Sequence, residues 1–269
     1  MGFSSLLTIC KYSLYSGAGN RFLLSEELPS IQTICSLCEK TKTDGFLFLS
    51  PSLCADARLT IFNSDGSRPA MCGNGLRCVI AHLAQRFGRN DISVDTDCGV
   101  YSGYFYSWER VLVDMSLPEW HVSTYQLKLA NFSHLYEVFF VHTGVPHAVL
   151  FFPELTTLDI LSLGRFLRHH PQFAPQGVNV NFVEVLGIGK LRLRTYERGL
   201  EKESPACGTG AVAATLAVLK CYEWQEERVE LFTWHNISMA VNLQQGRVYL
   251  EGPVTRFDSP SSSLCYELC

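Results

Sequence analysis

Apolar and polar positions along this chain fall into one pattern that runs twice. The first pass begins with a strand over residues 3–15 and a polar loop, Ser16-Gly17-Ala18-Gly19-Asn20. Apolar residues at helical spacing predict a short helix over 28–39, and apolar runs predict strands at 45–49 and 59–62. Asn63-Ser64-Asp65-Gly66-Ser67 is a turn. Leu76, Val79, Ile80, Leu83, Ala84 and Phe87 recur at helical spacing and predict a helix over 73–87. Strands at 92–96, 100–108 and 111–115 follow. After a connector at 118–124 the order repeats. Strands at 138–143 and 148–152 are broken by Gly144-Val145-Pro146-His147. A helix is predicted over 158–169, then strands over 179–186 and 191–197, a polar loop and a helix over 211–221. Strands at 229–232, 237–243 and 247–251 complete the second pass.

The helix over 211–221 is apolar almost all round: Ala211, Val212, Ala213, Ala214, Leu216, Ala217, Val218, Leu219. Such a helix is buried on every side, and a curled antiparallel sheet would enclose it. The fold class read from this is α+β. The domains are residues 1–117 and 118–254, with the tail 255–269 packing back onto the first.

Each predicted central helix starts on the same short motif. Met71-Cys72-Gly73-Asn74-Gly75 opens the first, and Ala206-Cys207-Gly208-Thr209-Gly210 opens the second, about half a chain length away. An internal repeat at that period means two similar units, each supplying one thiol at a helix start. A lone buried cysteine is ordinarily a small core hydrophobe, but two matched copies in matched settings point to chemistry. A helix start presents unpaired N–H groups and the positive end of the macrodipole. Both favour a thiolate, so both thiols are expected below the free value of about 8.5. The glycines allow close approach, so Gly73 and Asn74 with Gly208 and Thr209 could cradle one carboxylate. A carboxylate so held makes the adjacent carbon more acidic. One thiolate can take the proton from one face while the opposite thiol returns one to the other, and no cofactor is needed.

Composition narrows the class without changing this picture. Hydrophobic residues are 47% and charged residues 18%, as a well-buried core requires. Net charge is −4 and no basic run would track a nucleic acid. No apolar run approaches a membrane span and no targeting signal is evident, which points to the cytoplasm. The 11 cysteines are odd in number and not a disulfide framework. Cys35-x-x-Cys38 lacks the second ligand pair of a structural zinc site, so no metal is expected.

The residues now support a resemblance. The chain resembles the diaminopimelate epimerase family over nearly its whole length. The likeness is carried by Gly19-Asn20-Arg21-Phe22, Phe62-Asn63-Ser64-Asp65-Gly66-Ser67, Met71 to Cys78, Gly144-Val145-Pro146-His147, Asn179-Val180-Asn181-Phe182, Tyr196-Glu197-Arg198-Gly199 and Ala206 to Gly210. It implies two pseudo-symmetric domains, each a mostly antiparallel β-barrel around a central helix, with the site in the cleft between them. It implies Cys72 and Cys207 as the acid–base pair, with His147 and Glu197 tuning the thiols. Asn20, Asn63, Asn179, Glu197 and Arg198 become substrate contacts, and Gly73, Asn74, Gly208 and Thr209 supply amides. The implied partner is a small dicarboxylic amino acid, and the implied assembly is a homodimer.

Four departures stand out. Val145 replaces an Asn that would hold the distal end of the substrate, and Arg21 replaces an Asp. The loop 200–205 is one residue longer and carries Pro205. The tail near Phe257 lacks the family's Tyr and following Gly, which bear on dimer contacts. These spare the thiols, so the expectation is epimerisation with a looser distal pocket, extending to a shorter acidic amino acid such as glutamate. The alternatives are a two-thiol racemase related to the proline and hydroxyproline racemases, a phenazine-biosynthesis-like isomerase lacking the cysteine pair, and a non-catalytic amino-acid-binding relative.

Overall fold

The twofold pattern folds twice. The computed structural model describes residues 11–69, 71–115, 121–129 and 135–257. In the first half, β1 (Ser13–Gly17), β2 (Asn20–Ser25), α1 (Ile31–Thr41), β3 (Gly45–Ser50), β4 (Ala57–Asn63), α2 (Gly73–Phe87), β5 (Asp91–Thr96), β6 (Gly99–Ser107) and β7 (Arg110–Asp114) follow in order. The second half has β8 (Val122–Lys128), β9 (Leu135–His142), β10 (Pro146–Phe151), α3 (Ile160–Arg168), β11 (Asn179–Gly187), β12 (Lys190–Glu197), β13 (Lys202–Ser204), α4 (Gly208–Tyr222), β14 (Arg228–Thr233), β15 (Ser238–Gln244) and β16 (Arg247–Gly252). A last strand, β17 (Val254–Phe257), closes the described chain.

The pairings of the two halves match. In the first, β2 runs parallel to β3, β4 parallel to β5, and the other neighbours are antiparallel. In the second, β10 runs parallel to β11 and β12 parallel to β14, again with antiparallel neighbours. The parallel steps are where a helix crosses over, since parallel neighbours cannot be joined by a tight turn. β7 pairs with β16, which joins the halves, and β17 returns to pair with β1. The rest of the tail, residues 3–10 and the proposed boundary at 117/118 lie outside the described residues.

Each half curls around one helix. α2 packs against β1, β2, β4, β5, β6, β7 and β17, and α4 against β8, β9, β10, β11, β12, β15 and β16. Enclosure on all sides explains the composition of α4, whose Ala211, Ala213, Ala214 and Ala217 are fully buried. Small side chains let the sheet close tightly on the helix. Outside the curl, α1 covers Leu23, Phe46 and Phe62, and α3 covers Phe182 and Tyr196.

Four strands went unpredicted: the short closing strand β17 and three others whose reasons are identifiable. β2 is buried on both faces, so Phe22, Leu23 and Leu24 show no alternation. β8 is a mostly exposed strand that reads as a polar connector, and β13 is only 3 residues long. Among the described residues no helix is long and apolar enough to cross a membrane.

Leu250 on β16 is fully buried where the two helix starts meet. Its Cδ2 would lie 3.1 Å from a Cβ built on Gly73 and 2.5 Å from one on Gly208. It is a wedge between the halves. Leu250→Ala is expected to cost about 2–5 kcal/mol, read as a lower urea midpoint. An unchanged midpoint would mean the junction collapses without loss and Leu250 spaces nothing.

Candidate active site

The two repeated motifs meet. Cys72 is the N-cap of α2 and Cys207 the N-cap of α4, both in extended backbone. A Cβ on Gly73 would be 3.9 Å from the Cα of Gly208, so the helix starts nearly touch. A Cβ on Gly210 would overlap Oδ1 of Asn181. Glycine is required at Gly210 because a side-chain amide already occupies the space a Cβ would take, whereas Gly73 is crowded only by a methyl of Leu250.

Asn74 ties the two starts together. Its Nδ2 donates to Oδ1 of Asn20 at 2.6 Å and to the carbonyl of Ala206 at 3.3 Å, next to Cys207. Its Oδ1 accepts from the Nη2 of Arg77 at 2.7 Å. The Asn74 side chain is therefore spent inside the protein, and its backbone N–H is what remains for a ligand. Asn20 also donates to Asp44, whose carboxylate accepts the Arg21 N–H at 2.8 Å. Across the site, Thr143 donates to the carbonyl of Thr209 at 3.1 Å.

The second half supplies a buried polar row. Oδ1 of Asn179 accepts the backbone N–H of Arg198 at 2.8 Å and so fixes that residue. Asn181 accepts from Thr195 at 3.0 Å and donates to Nδ1 of His147 at 2.9 Å and to the carbonyl of Ala148 at 3.2 Å. With Nδ1 accepting, the His147 proton sits on Nε2, which is buried without a partner. Burial, helped by His142 and Arg198, drives the His147 pKa down to about 3. Asn63 stands apart: its amide donates to Ser67 at 2.8 Å within its own exposed turn.

The thiols titrate opposite to the expectation. Burial pushes Cys207 up to about 12, and the Glu197 carboxylate adds to the rise against weaker help from Thr209 and the Gly210 N–H. Cys72 is also raised by burial first and by Glu197, although the N–H groups of Gly75 and Asn74 oppose this. A few helix-start dipoles do not offset the cost of a buried thiolate facing a carboxylate. Glu197 is itself raised, mainly by burial and then by Asp44, against a hydrogen bond from Ser204. Both thiols are thus held protonated at neutral pH.

The structure thus gathers Cys72, Cys207, Gly73, Asn74, Gly208, Thr209, Asn20 and Glu197 around the facing helix starts, with His147, Asn179 and Arg198 along one side. Asn181, Thr195, Thr143, Asp44 and Arg77 were missed. Asn181 could have been found, because it is two residues from Asn179 and shares its strand face. The others carry no local signal. Cys35 and Cys38 lie on α1, away from this group, as free thiols.

The duplicated, helix-centred sheet with a cysteine at each facing helix start places the chain in a class of isomerases, the racemases and epimerases of this fold. The fold follows a probable proline racemase from Agrobacterium radiobacter K84 at TM-score 0.69 and 16% identity, over 95% of this chain and 93% of that one. It follows a putative phenazine biosynthesis PhzC/PhzF protein from Clostridium difficile at TM-score 0.69 and 12% identity, over 93% of this chain and 97% of that one. The family model for diaminopimelate epimerase matches residues 15–120 and 139–255. A diaminopimelate epimerase of Chlamydia trachomatis serovar L2 is 47% identical over 256 residues, 95% of this chain and 93% of the relative. The chain belongs to the diaminopimelate epimerase family.

Two outcomes are expected here. Between its folded value of about 3 and its unfolded value of 6.5, His147 binds its second proton only in the unfolded chain. Stability is therefore lost as pH falls through that window. His147→Gln should flatten the slope of unfolding free energy between about pH 6 and 4 by up to about 1.4 kcal/mol per unit in urea titrations. An unchanged slope would mean that the imidazole protonates in the folded state. Separately, Glu197→Gln removes the like charge facing both thiols. Alkylation of Cys72 by iodoacetamide near pH 8 should then speed up several-fold, and an unaltered rate would show that the carboxylate does not reach the thiol.

Proposed function

We propose that this protein interconverts LL- and meso-2,6-diaminopimelate, the reaction of lysine and peptidoglycan precursor synthesis, with Cys72 and Cys207 as opposed acid–base groups and no cofactor in the chemical step. The observation that carries this reading is the meeting of two cysteine-capped helix starts. The match to the family over most of the chain supports the substrate.

The α-carboxylate sits between the helix starts, taking N–H groups of Gly73 and Asn74 on one side and Gly208 and Thr209 on the other. Charge developing at the α-carbon spreads into that carboxylate, where the fixed amides stabilise it. One thiolate removes the α-proton and the other thiol delivers a proton to the opposite face, which inverts the centre. Glu197 accepts from the substrate ammonium. That pairing neutralises the charge that raises both thiols, so substrate binding itself favours ionisation of one of them. Because the thiols interact, they titrate as a pair. Arg198, its backbone fixed by Asn179, grips a carboxylate with its planar fork.

The rivals differ in what they need from the site. A proline-type racemase has no use for Arg198 together with Asn20 and Asn179, which suit a substrate with two charged ends. A phenazine-type isomerase has no use for two facing thiols, and a binding protein none for proton exchange. Val145, whose carbonyl takes the Thr143 N–H at 3.0 Å, offers no side-chain hydrogen bond to the distal end. Glutamate is thus a second, slower substrate.

In D2O the wild type is expected to wash deuterium into the α-carbon of diaminopimelate and, more slowly, of glutamate. Cys72→Ala and Cys207→Ala should each lower epimerisation by about 1000-fold or more. A single-cysteine variant with near-normal turnover would overturn the two-thiol mechanism, and the absence of exchange by the wild type would leave a binding protein.

A further inference from the structure

Arg77 is fully buried, the largest such side chain among the described residues. It lies on α2, one turn behind the Cys72 cap. Its Nη2 donates to Asn74, while its Nε and Nη1 have no hydrogen-bond partner among the described residues. Among the described residues it forms no ion pair with a carboxylate. Its guanidinium lies flat against the β16 backbone: a Cβ on Gly252 would be 3.0 Å from Cζ. Its Nη1 is 3.8 Å from where a Cβ of Gly208 would stand, so the charge sits behind both helix starts at once.

That placement is unfavourable by itself. A buried, unpaired cation carries a desolvation cost of several kcal/mol. Here it also stands beside the positive ends of two helices. Burial accordingly lowers the Arg77 pKa to about 10, with the charges of Cys78 and Cys72 opposing that fall. The cation becomes favourable once negative charge collects in front of the helix starts. The proposed reaction brings it there as a substrate carboxylate, a thiolate and, at the moment of proton transfer, the electrons of the broken C–H bond.

We propose that Arg77 is a positioning and electrostatic residue of the epimerase site: a buried countercharge, held behind Asn74 without a carboxylate partner among the described residues, that is balanced by the anionic transition state between Cys72 and Cys207. It does not touch the substrate. It acts by holding the Asn74 amide that spans to Asn20 and Ala206, and by its field. The titratable groups that interact with Arg77 are Cys72 and Cys78 on α2, and Cys72 in turn faces Glu197 on β12 and Cys207 on α4.

The inference rests on the proposed epimerase reading, and the test separates the two. Arg77→Gln removes the charge and keeps a donor near Asn74. Arg77→Lys keeps the charge. For Arg77→Gln, the expected result is a thermal midpoint equal to or above wild type, kcat lower by about 100-fold with a much smaller change in KM, and a Cys72 alkylation profile moved toward higher pH. Arg77→Lys is expected to restore the alkylation profile and much of kcat. A glutamine variant that melts lower or fails to fold would make Arg77 a structural residue and overturn the proposal. So would one that keeps the wild-type alkylation profile. Inactive wild type would instead refute the epimerase reading, while stability and alkylation would still report on the Arg77 charge.

Discussion

Two helices cannot be buried start to start without an answer for their free N–H groups. That constraint governs the junction of this protein. Each start leaves donors unpaired, and both are crowded against Leu250 with glycines where a side chain would collide. One inward side chain, Asn74, crosses the junction and ties one start to the residue before Cys207. The first-turn donors of both helices are the groups that the proposed substrate carboxylate would engage.

The same crowding sets the chemistry. Burial that makes amides effective anion binders also makes a thiolate costly, and Glu197 raises that cost for both thiols. A permanently ionised pair would be reactive toward any oxidant or electrophile. A pair that ionises when an ammonium neutralises Glu197 is reactive only with the substrate in place. Arg77 fits the same logic from behind, as a buried charge that meets no carboxylate among the described residues.

Much of this was legible in the chain. The halved repeat, the two cysteine-glycine motifs and the all-round apolar α4 follow from local rules, because helix periodicity and a small-residue motif leave marks in consecutive residues. Val145 and the long 200–205 loop were legible as departures. β2 was not, because a strand covered on both faces loses its alternation. Asn63 read as a substrate contact on motif grounds, yet its amide is bound within its own turn.

The sequence by itself determined that two matched units each present a cysteine at a helix start, since the pattern that builds each unit is written over short stretches. It could not determine the ionisation of those cysteines. The local rule of a helix start predicts a lowered pKa, whereas desolvation and the Glu197 charge depend on residues more than a hundred positions from Cys72. The tertiary structure alone decided that the two starts face each other, that Asn74 looks inward, and that a fully buried arginine stands behind both, because each of these is a meeting between halves that share no local contact.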